Sequence, residues 1–543
     1  MARAIPPDAA VGPIERGLTV LSVLAATPRG RIRAGDLVRH TGLARSTIDR
    51  IAATLTRLGL VRVEDADLVL TPQALAFGNA YRAGLGLPRP LAPIVTRLAD
   101  DLDESVSLAV PDGDGVRFVD QTPRRRALSI AFRVGDLLPA ERCAPGALFA
   151  STWTADDHTA WRERRARDTT DAGFPAMPAG ARERPGEADF AARVNLAARD
   201  GLAVDDQLIE PGLVAVAVPV HGPDGAITCA LSVVSHTSRH TAASLAHHAA
   251  APLRATALRM TEALAEAAHD AGRVDPRAAD PTRDTTLDAK RDLGPEYLQS
   301  LARGLTVLAA LRVPGGMTLA EVARATALAR ATTRRCLLTL REQGYVVERD
   351  GRFASRPKTL ELGHALLSGM PIGDLAAPHL ADLVHRIGES ASLAELDGHD
   401  IRYVARAAAG RIMSVAISVG TRFPAHATSM GRVLLAELPP PRRRSWLAEA
   451  DLAALTPKTI TDPAHLARVL DEVHRDGYAL VDQELEEGLR SIAVPVRDAA
   501  GTAVAAVNVS LHAERTDIAT VRSTILPELR ATAARIDADL AQI

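Results

Sequence analysis

The chain repeats itself, and that repetition limits its fold more than any other feature. Arg16-Gly-Leu-Thr-Val-Leu21 recurs letter for letter as Arg303-Gly-Leu-Thr-Val-Leu308. Leu43-Ala-Arg45 returns as Leu328-Ala-Arg330, and Glu104-Ser-Val-Ser-Leu-Ala109 as Glu389-Ser-Ala-Ser-Leu-Ala394. Asp206-Gln-Leu-Ile-Glu-Pro-Gly-Leu213 returns as Asp482-Gln-Glu-Leu-Glu-Glu-Gly-Leu489. The offset falls from 287 residues (Arg16 to Arg303) to 285 (Arg45 to Arg330) and to 276 (Asp206 to Asp482). Solenoid repeats run to roughly 20–50 residues, so this is one complete unit present twice. The first copy carries the extra residues in its loops.

Within each copy the clearest local signal is a helix-turn-helix. In Leu328–Leu340, helical spacing puts Thr333, Cys336, Leu337 and Leu340 on one face and Arg330, Thr332, Arg334 and Arg335 on the other. The short amphipathic run Leu319–Ala325 precedes it. Tyr345–Phe353 follows and reads as a hairpin turning at Asp350-Gly351. Helix, turn, helix and hairpin make a winged helix-turn-helix, whose second helix has the size and charge to enter a DNA major groove. Taken alone, the stretch also fits a solvated basic face on an ordinary helix. In copy one the corresponding helix is Arg45–Leu58, with Ile48, Ile51, Ala52 and Leu55 inward and Arg45, Ser46, Thr47, Asp49 and Arg50 outward. Asp49 stands where Arg334 stands in copy two, and the wing reads Glu64-Asp-Ala-Asp67. Carboxylates repel phosphates, so copy one is expected to bind DNA more weakly or to read another base.

Bulk properties narrow the alternatives. A chain of 543 residues is long enough for three or four domains, and 47% hydrophobic residues allow sizeable cores. Aromatic residues make up 3%, too few for a platform that stacks single-stranded bases. The net charge of −2 means that DNA binding would rest on local patches rather than a global field. The basic residues are nearly all arginine, which suits bidentate contacts to phosphate and guanine. Three cysteines are no disulfide framework. With no visible signal peptide or membrane-length apolar run, the expected location is the cytoplasm.

Between the two reading heads the pattern changes. A helix from Leu85 to Leu102 leads into short strands at Ser105–Val110, Val116–Gln121 and Ala127–Arg133. Residues 162–190, rich in Arg, Pro and Gly, read as a surface loop holding the nine residues by which the offset shrinks. A helix at Phe190–Arg199, strands at Leu213–Val220 and Ile227–Val234, and a helix from Ser244 to Ala268 complete the copy. Strands mixed with helices in an antiparallel order suggest an α+β sensor domain. The expected divisions are a DNA-binding domain at 10–80, a second domain at 85–268, a linker at 269–295, a second DNA-binding domain at 296–366, and its partner domain at 372–543.

At this point the chain resembles the IclR family of bacterial transcription regulators. The resemblance rests on the winged helix, Gly388–Ala394, Ala427-Thr-Ser-Met-Gly-Arg432, Gly477–Val496 and Ala505-Ala-Val-Asn-Val-Ser510. It covers nearly all of copy two, which looks most like regulators of aromatic-acid degradation through the β-ketoadipate pathway; copy one matches more loosely. It implies two winged helix-turn-helix domains, each followed by a GAF-like α/β effector-binding domain. Family members usually carry one unit and dimerise, so two units in one chain is a departure. By the family's pattern the effector pocket of copy two would be lined by Thr428, Ser429, Met430, Asp482, Glu484, Arg490, Ser491, Asn508 and Ser510. The DNA-binding set would be Arg45, Ser46, Thr47 and Arg50 in copy one, and Arg330, Thr332, Arg334 and Arg335 with wing residues Arg349 and Arg352 in copy two. Hydroxyls, an amide and an arginine would suit an oxygen-rich acid. Copy one keeps Asp206 and otherwise has Cys143, Ala144, Pro145, Leu208, Val214, Ala215, Ser232 and Val234, a less polar set.

Other chemistries have weaker signatures. Ala427-Thr-Ser-Met-Gly431 is one residue from a Gly-x-Ser-x-Gly nucleophile elbow, but copy one has no serine there. Cys336 and Cys229 read as core residues, and Cys143 is expected to be partly exposed. His247-His248 lack partners at metal spacing. No catalytic residue, cofactor or metal is therefore expected. The expected function is a DNA-binding regulator that responds to a small aromatic or dicarboxylic acid. A ligand-binding scaffold with weakened DNA affinity and an enzyme on the sensor fold are the alternatives. A 27-residue flexible linker spans about 30 Å r.m.s., so the two winged helices can pair within one chain as a pseudo-dimer; a homodimer is the other assembly.

Overall fold

The computed structural model describes residues 12–85, 91–124, 132–174, 176–178, 183–270, 297–367, 369–409 and 418–542. The chain divides into two compact units, the first ending at Gly369 and the second beginning at Met370. The first unit opens with α1 (Gly12–Ala26), β1 (Arg31–Arg33), α2 (Ala34–Thr41), α3 (Arg45–Arg57), β2 (Val61–Glu64) and β3 (Asp67–Leu70). Ile14, Leu18, Leu21 and Leu24 of α1 close over Leu37 and over Ile48, Ile51 and Leu55 of α3, following the helical period of the sequence. The wing is an antiparallel sheet in the order β1-β3-β2. Its short first strand was not foreseen.

The chain continues through α4 (Leu75–Gly84), α5 (Leu91–Leu102), β4 (Ser105–Asp112), β5 (Gly115–Thr122), β6 (Leu137–Pro139), α6 (Ala144–Ala150), α7 (Ala155–Arg167), α8 (Glu187–Asp200), β7 (Ala203–Asp206), β8 (Leu213–His221), β9 (Ile227–His236) and α9 (Ala242–Asp270). The six strands form one antiparallel sheet in the order β6-β5-β4-β9-β8-β7. Side chains alternate between its faces. Val106, Leu108, Val216, Val218, Leu231 and Val233 form a thick apolar layer with α5 and α9. On the opposite face, Ala109, Ala215, Ala217 and Ala230 join the cluster that includes α6 and α8.

The expected loop at 162–190 is helical at both ends. α7 runs to Arg167 because Thr154 and Asp157 form a reciprocal capping box at its start, and α8 begins at Glu187. The expected strand at 127–133 falls mostly outside the described residues, as do the first eleven residues and the linker from 271. Residues 269–270 belong to α9.

The second reading head, also in the first unit, comprises α10 (Gln299–Ala310), β10 (Met317–Thr318), α11 (Leu319–Thr326), α12 (Arg330–Glu342), β11 (Val346–Arg349) and β12 (Arg352–Ser355). Its sheet order, β10-β12-β11, repeats that of copy one. The two heads pack on each other through the verbatim repeat. Leu301 of α10 is seated on Gly17 of α1, and Ile14 is seated on Gly304, where an added Cβ would lie 2.7 Å from Ile14 Cδ1. Leu298 N–H also donates to Thr54 Oγ1 across the copies at 2.9 Å. After the wing, copy two does not repeat the continuous α4. A 3-10 turn at Pro357–Leu362 ends at Gly363, whose φ is +129°, before α13 (His364–Leu367).

The second unit holds α14 (Ile372–Ile387), β13 (Ser390–Asp397), β14 (Asp400–Ala407), β15 (Arg422–Pro424), α15 (Ser429–Ala436), α16 (Pro440–Glu449), α17 (Pro463–Asp476), β16 (Ala479–Asp482), β17 (Leu489–Arg497), β18 (Ala503–His512) and α18 (Leu526–Leu540). Its sheet, β15-β14-β13-β18-β17-β16, has the strand order of copy one. Leu393, Ile492, Val494, Val507 and Val509 pack with α14 and α18. Ala394, Ala493 and Ala506 pack with α15 and α17 on the other face. Each half is thus α+β.

Candidate functional site

On α12, Thr333, Cys336, Leu337 and Leu340 are buried, while Arg330, Arg334 and Arg335 are exposed and Thr332 is half-buried. Three guanidinium groups on one helix face are the chemistry that phosphates and guanine edges accept. Arg349 and Arg352 flank the turn of the wing at Asp350-Gly351. Arg352 Nη1 donates to Gly316 O at 2.8 Å and lies 3.5 Å from Glu321, so it braces the wing as well as presenting charge.

The first head has the same shape with different electrostatics. On α3, Arg45 Nε donates to Asp49 Oδ1 at 2.8 Å, one helical turn away, and Ser46 and Arg50 are exposed beside them. The acidic wing is neutralised from within: Arg31 bonds both Glu64 and Asp67 at 2.6 Å, and Arg62 bonds Glu64 at 2.6 Å. Its carboxylates therefore carry less free negative charge than the sequence suggested, but they also occupy arginines that could have met phosphate.

In the second unit, strand alternation separates the nominated effector residues. Ser491 shares a face with Ala493, and Asn508 and Ser510 share it with Ala506, all toward α15; Ser392 is Asn508's register partner on that face. Thr428 caps α15, accepting the Gly431 N–H, and Ser429 and Met430 begin it; all three are buried. Asn508 Nδ2 donates to Ser510 Oγ at 3.2 Å. Asn508 Oδ1 and Ser429 Oγ are buried with no hydrogen-bond partner. These are two buried polar atoms whose hydrogen bonds a polar ligand would supply.

Arg490 and Asp482 do not join this group. Each pairs in register with the other and points to the opposite face, with Ile492 and Leu480. Arg490 Nε donates to Asp482 at 2.8 Å, and its Nη1 reaches Ala513 O and Thr516 O. Burial works against ionisation of Asp482, but hydrogen bonds from Lys458 and Arg490 hold its carboxyl below the usual range. Glu484 is turned to Arg432: Nη1 donates to Oε1 at 2.7 Å, Nη2 donates to Oε2, and Ile460 N–H donates to Oε2 at 3.1 Å. Arg432 also donates from Nε to His426 O. This buried fork fixes the loop after β16 to α15, a positioning role that the sequence reading did not assign. His426 Nε2 faces Ala453 O at 3.2 Å, so no hydrogen bond links it to Ser429.

The corresponding region of copy one is a charge network. Glu141, fully buried, accepts from Arg164, Arg165 and Trp161, and Asp171 accepts from Arg142 and Arg184. The aperiodic segment supplies all of these arginines but Arg142. Cys143 is buried rather than partly exposed, and burial pushes its thiol well above the usual range, so it is not an activated nucleophile. Burial likewise raises the thiols of Cys229, to about 12, and Cys336, to about 11. Asp205, at the position of Val481, is fully buried; its Oδ1 accepts the Leu208 N–H and its Oδ2 has no partner. Burial raises it to about 7, against the pull of Leu208 and Arg193. An acid among inward-facing strand positions was the available signal, and it was missed.

Among the described residues no helix is long and apolar enough to cross a membrane, and no group of three or more His, Cys, Asp or Glu side chains could hold a metal ion. A profile of the IclR helix-turn-helix domain matches residues 13–65 and 300–350, and one of the bacterial transcriptional regulator IclR C-terminal domain matches 80–262 and 364–538. Over 240 residues the chain is 45% identical to the Pca regulon regulatory protein of Pseudomonas putida, covering 44% of this chain and 82% of that protein. It is 33% identical over 244 residues to the p-hydroxybenzoate hydroxylase transcriptional activator of Acinetobacter baylyi, covering 44% of this chain and 90% of that one. The crystal structure of a transcriptional regulator from Rhodococcus sp. RHA1 is 49% identical, covers 45% of this chain and 98% of its own, and superposes with a TM-score of 0.43.

Proposed function

Because the chain belongs to the IclR family of bacterial transcriptional regulators and carries the family's unit twice, we propose that it is a sequence-specific DNA-binding regulator in which one polypeptide supplies both reading heads. The observation that carries this reading is the exposed arginine face of α12 beside a wing edged by Arg349 and Arg352. Residues 10–80 and 296–366 are the DNA-binding domains in this reading, 85–268 and 372–543 the effector domains, and 269–295 the linker. The protein acts in the cytoplasm as a binder rather than an enzyme.

The effector is a small aromatic or dicarboxylic acid taken up by the second sensor domain. Relatives named for the Pca regulon and for p-hydroxybenzoate hydroxylase support that class. The orphaned Asn508 Oδ1 and Ser429 Oγ support a polar ligand at the inner sheet face. Asn508, Ser510, Ser491, Ser429 and Thr428 are the proposed contacts; Glu484, Arg490 and Asp482 support the fold around them.

The reciprocal seating of Leu301 on Gly17 and Ile14 on Gly304 supports an intramolecular pseudo-dimer, since a two-fold interface makes each contact twice. A symmetric dimer reads a palindrome with half-sites about 34–36 Å apart. Here the two recognition helices differ, Asp49 against Arg334, so the operator is asymmetric. The test is a salt-dependent gel shift and footprint on DNA upstream of the chain's own gene, with mass measurement of the complex. One chain on one lopsided site, released by a hydroxybenzoate or dicarboxylic acid or shifted by it, supports the reading. A perfect palindrome held by two chains overturns the pseudo-dimer, and no retention of any upstream DNA overturns the regulator.

A further inference from the structure

The side chain of Arg117, in β5 of the first sensor domain, is only 2% exposed. Its Nε donates to Asp112 at 2.7 Å and its Nη1 to Gly135 O at 2.9 Å, both within that domain. Its Nη2 donates at 2.8 Å to Glu361, which belongs to the second copy. Glu361 lies in the 3-10 turn Pro357–Leu362, six residues beyond the end of the wing strand β12 at Ser355. The neighbouring Leu360 is fully buried in the first sensor's core with Tyr81 and Val110, and Arg356 lies 3.9 Å from Asp112. The connector of the second reading head is thus docked on the sensor domain of the first copy.

The pairing has no counterpart in the other direction. At the same offset of 285, Arg117 corresponds to Arg402 and Glu361 to Ala76, which has no carboxylate. Arg402 is about half exposed and pairs with Glu395 of its own hairpin. The connector itself occurs in two conformations within this chain. In copy one, residues Leu75–Gly84 form the unbroken helix α4. A 3-10 turn precedes the helix in both copies, Pro72–Ala74 and Pro357–Leu362, but in copy two it is three residues longer and Gly363, where φ is +129° and an added Cβ would lie 2.8 Å from Leu70 Cδ2, breaks the chain before the helix begins at His364. Gly363 occupies the place of Gly78, which is helical. One sequence pattern with two discrete backbones is the bistable element that coupling between distant sites needs.

The geometry points to crossed control: the first sensor domain sets the DNA affinity of the second reading head by holding its connector in the broken conformation through Arg117 and Glu361. This rests on the regulator reading above and names the wiring within it. A ligand or any other event that shifts β4–β5 in the first sensor reaches the arginine-rich head and its wing, whereas copy one's own head is reached through α4.

The clamp is tested in the full chain with Arg117→Gln, Glu361→Gln and the double variant, and with Arg402→Gln as a control. Two readouts are taken: affinity for the upstream DNA, and backbone hydrogen exchange across 357–367 without DNA. Each single change is expected to speed exchange in that segment and to weaken DNA binding between about threefold and thirtyfold. The double variant is expected to match Arg117→Gln alone, because that change has already broken the bond that Glu361→Gln removes; Arg402→Gln is expected to change neither readout. Unaltered exchange in Glu361→Gln, or additive losses in the double variant, overturns the inference. Should Arg117→Gln fail to fold, Glu361→Gln carries the test, since that side chain is a third exposed. Failure of the wild type to bind any upstream DNA would count against the regulator reading instead, while exchange still reports on the clamp.

Discussion

Gly17 has no side chain because Leu301 occupies the space, and the same relation recurs between Gly304 and Ile14. Both glycines belong to the verbatim repeat Arg-Gly-Leu-Thr-Val-Leu, which therefore forms part of the surface on which the two copies meet. A branched side chain at either glycine would have to displace the seated leucine or isoleucine and open the contact between α1 and α10.

Gly17→Val and Gly304→Val should each destabilise the pairing by about 1–3 kcal/mol, the usual range for overpacking a close contact. The expected result is an earlier thermal transition of the first unit, with faster exchange in α1 and α10 and weaker operator binding. A change at an exposed side chain of the second unit, such as Arg468→Gln, should leave all three unaltered. Wild-type melting and exchange in both valine variants would mean the contact contributes nothing.

The two recognition helices should respond in opposite senses. Arg334→Ala removes an exposed guanidinium from α12 and should cost about 1–3 kcal/mol of operator binding if it reads a base edge. Asp49→Arg places arginine at the equivalent position in copy one and frees Arg45 from its ion pair. That change should strengthen binding and steepen the salt dependence by about one unit of slope for each added phosphate contact. Filter binding across a salt series separates the two.

In the second sensor domain the expected ligand contacts and the expected structural contacts divide by strand face. Asn508→Ala should abolish the thermal shift produced by an aromatic or dicarboxylic acid while leaving the unliganded melt nearly unchanged. Arg490→Ala should do the reverse: lose about 1–3 kcal/mol of stability, because it leaves Asp482 with Lys458 as its one cationic partner and removes the donor to the carbonyls of Ala513 and Thr516, yet keep the ligand shift. Loss of the shift in Arg490→Ala alone would place the charge in the pocket after all.

Much of this organisation was legible from residue order. The duplication, the inward face of α12 and the wing turn at Asp350-Gly351 all follow from local repetition and period. Other features were legible but unread: the Thr154–Asp157 capping box announced α7, and strict alternation already placed Arg490 opposite to Ser491. What the sequence could not disclose are the long-range pairs. Arg117 and Glu361 are 244 positions apart and carry no periodic mark. The neutralisation of Glu64 and Asp67 depends on β1, a three-residue strand too short to register as a pattern. The charge network around Glu141 drew its arginines from a stretch whose lack of periodicity suggested a loop.

The last expectation concerns pH. Asp205 is fully buried in the first sensor domain and is raised to about 7, whereas in an unfolded chain it would titrate near 4. Between those values the folded state binds the proton more tightly than the unfolded state does. Its contribution is therefore fully favourable below about pH 4 and declines as pH rises toward 7. Above that point a carboxylate with one unpartnered oxygen sits in the core, at a cost on the order of 4 kcal/mol. Asp205→Asn keeps the shape and removes the charge. The variant should gain on the wild type in thermal midpoint as pH rises from 5 toward 7, with the difference level above that. A constant difference from pH 5 to pH 8 would show that Asp205 ionises normally and that Arg193, rather than a proton, neutralises it.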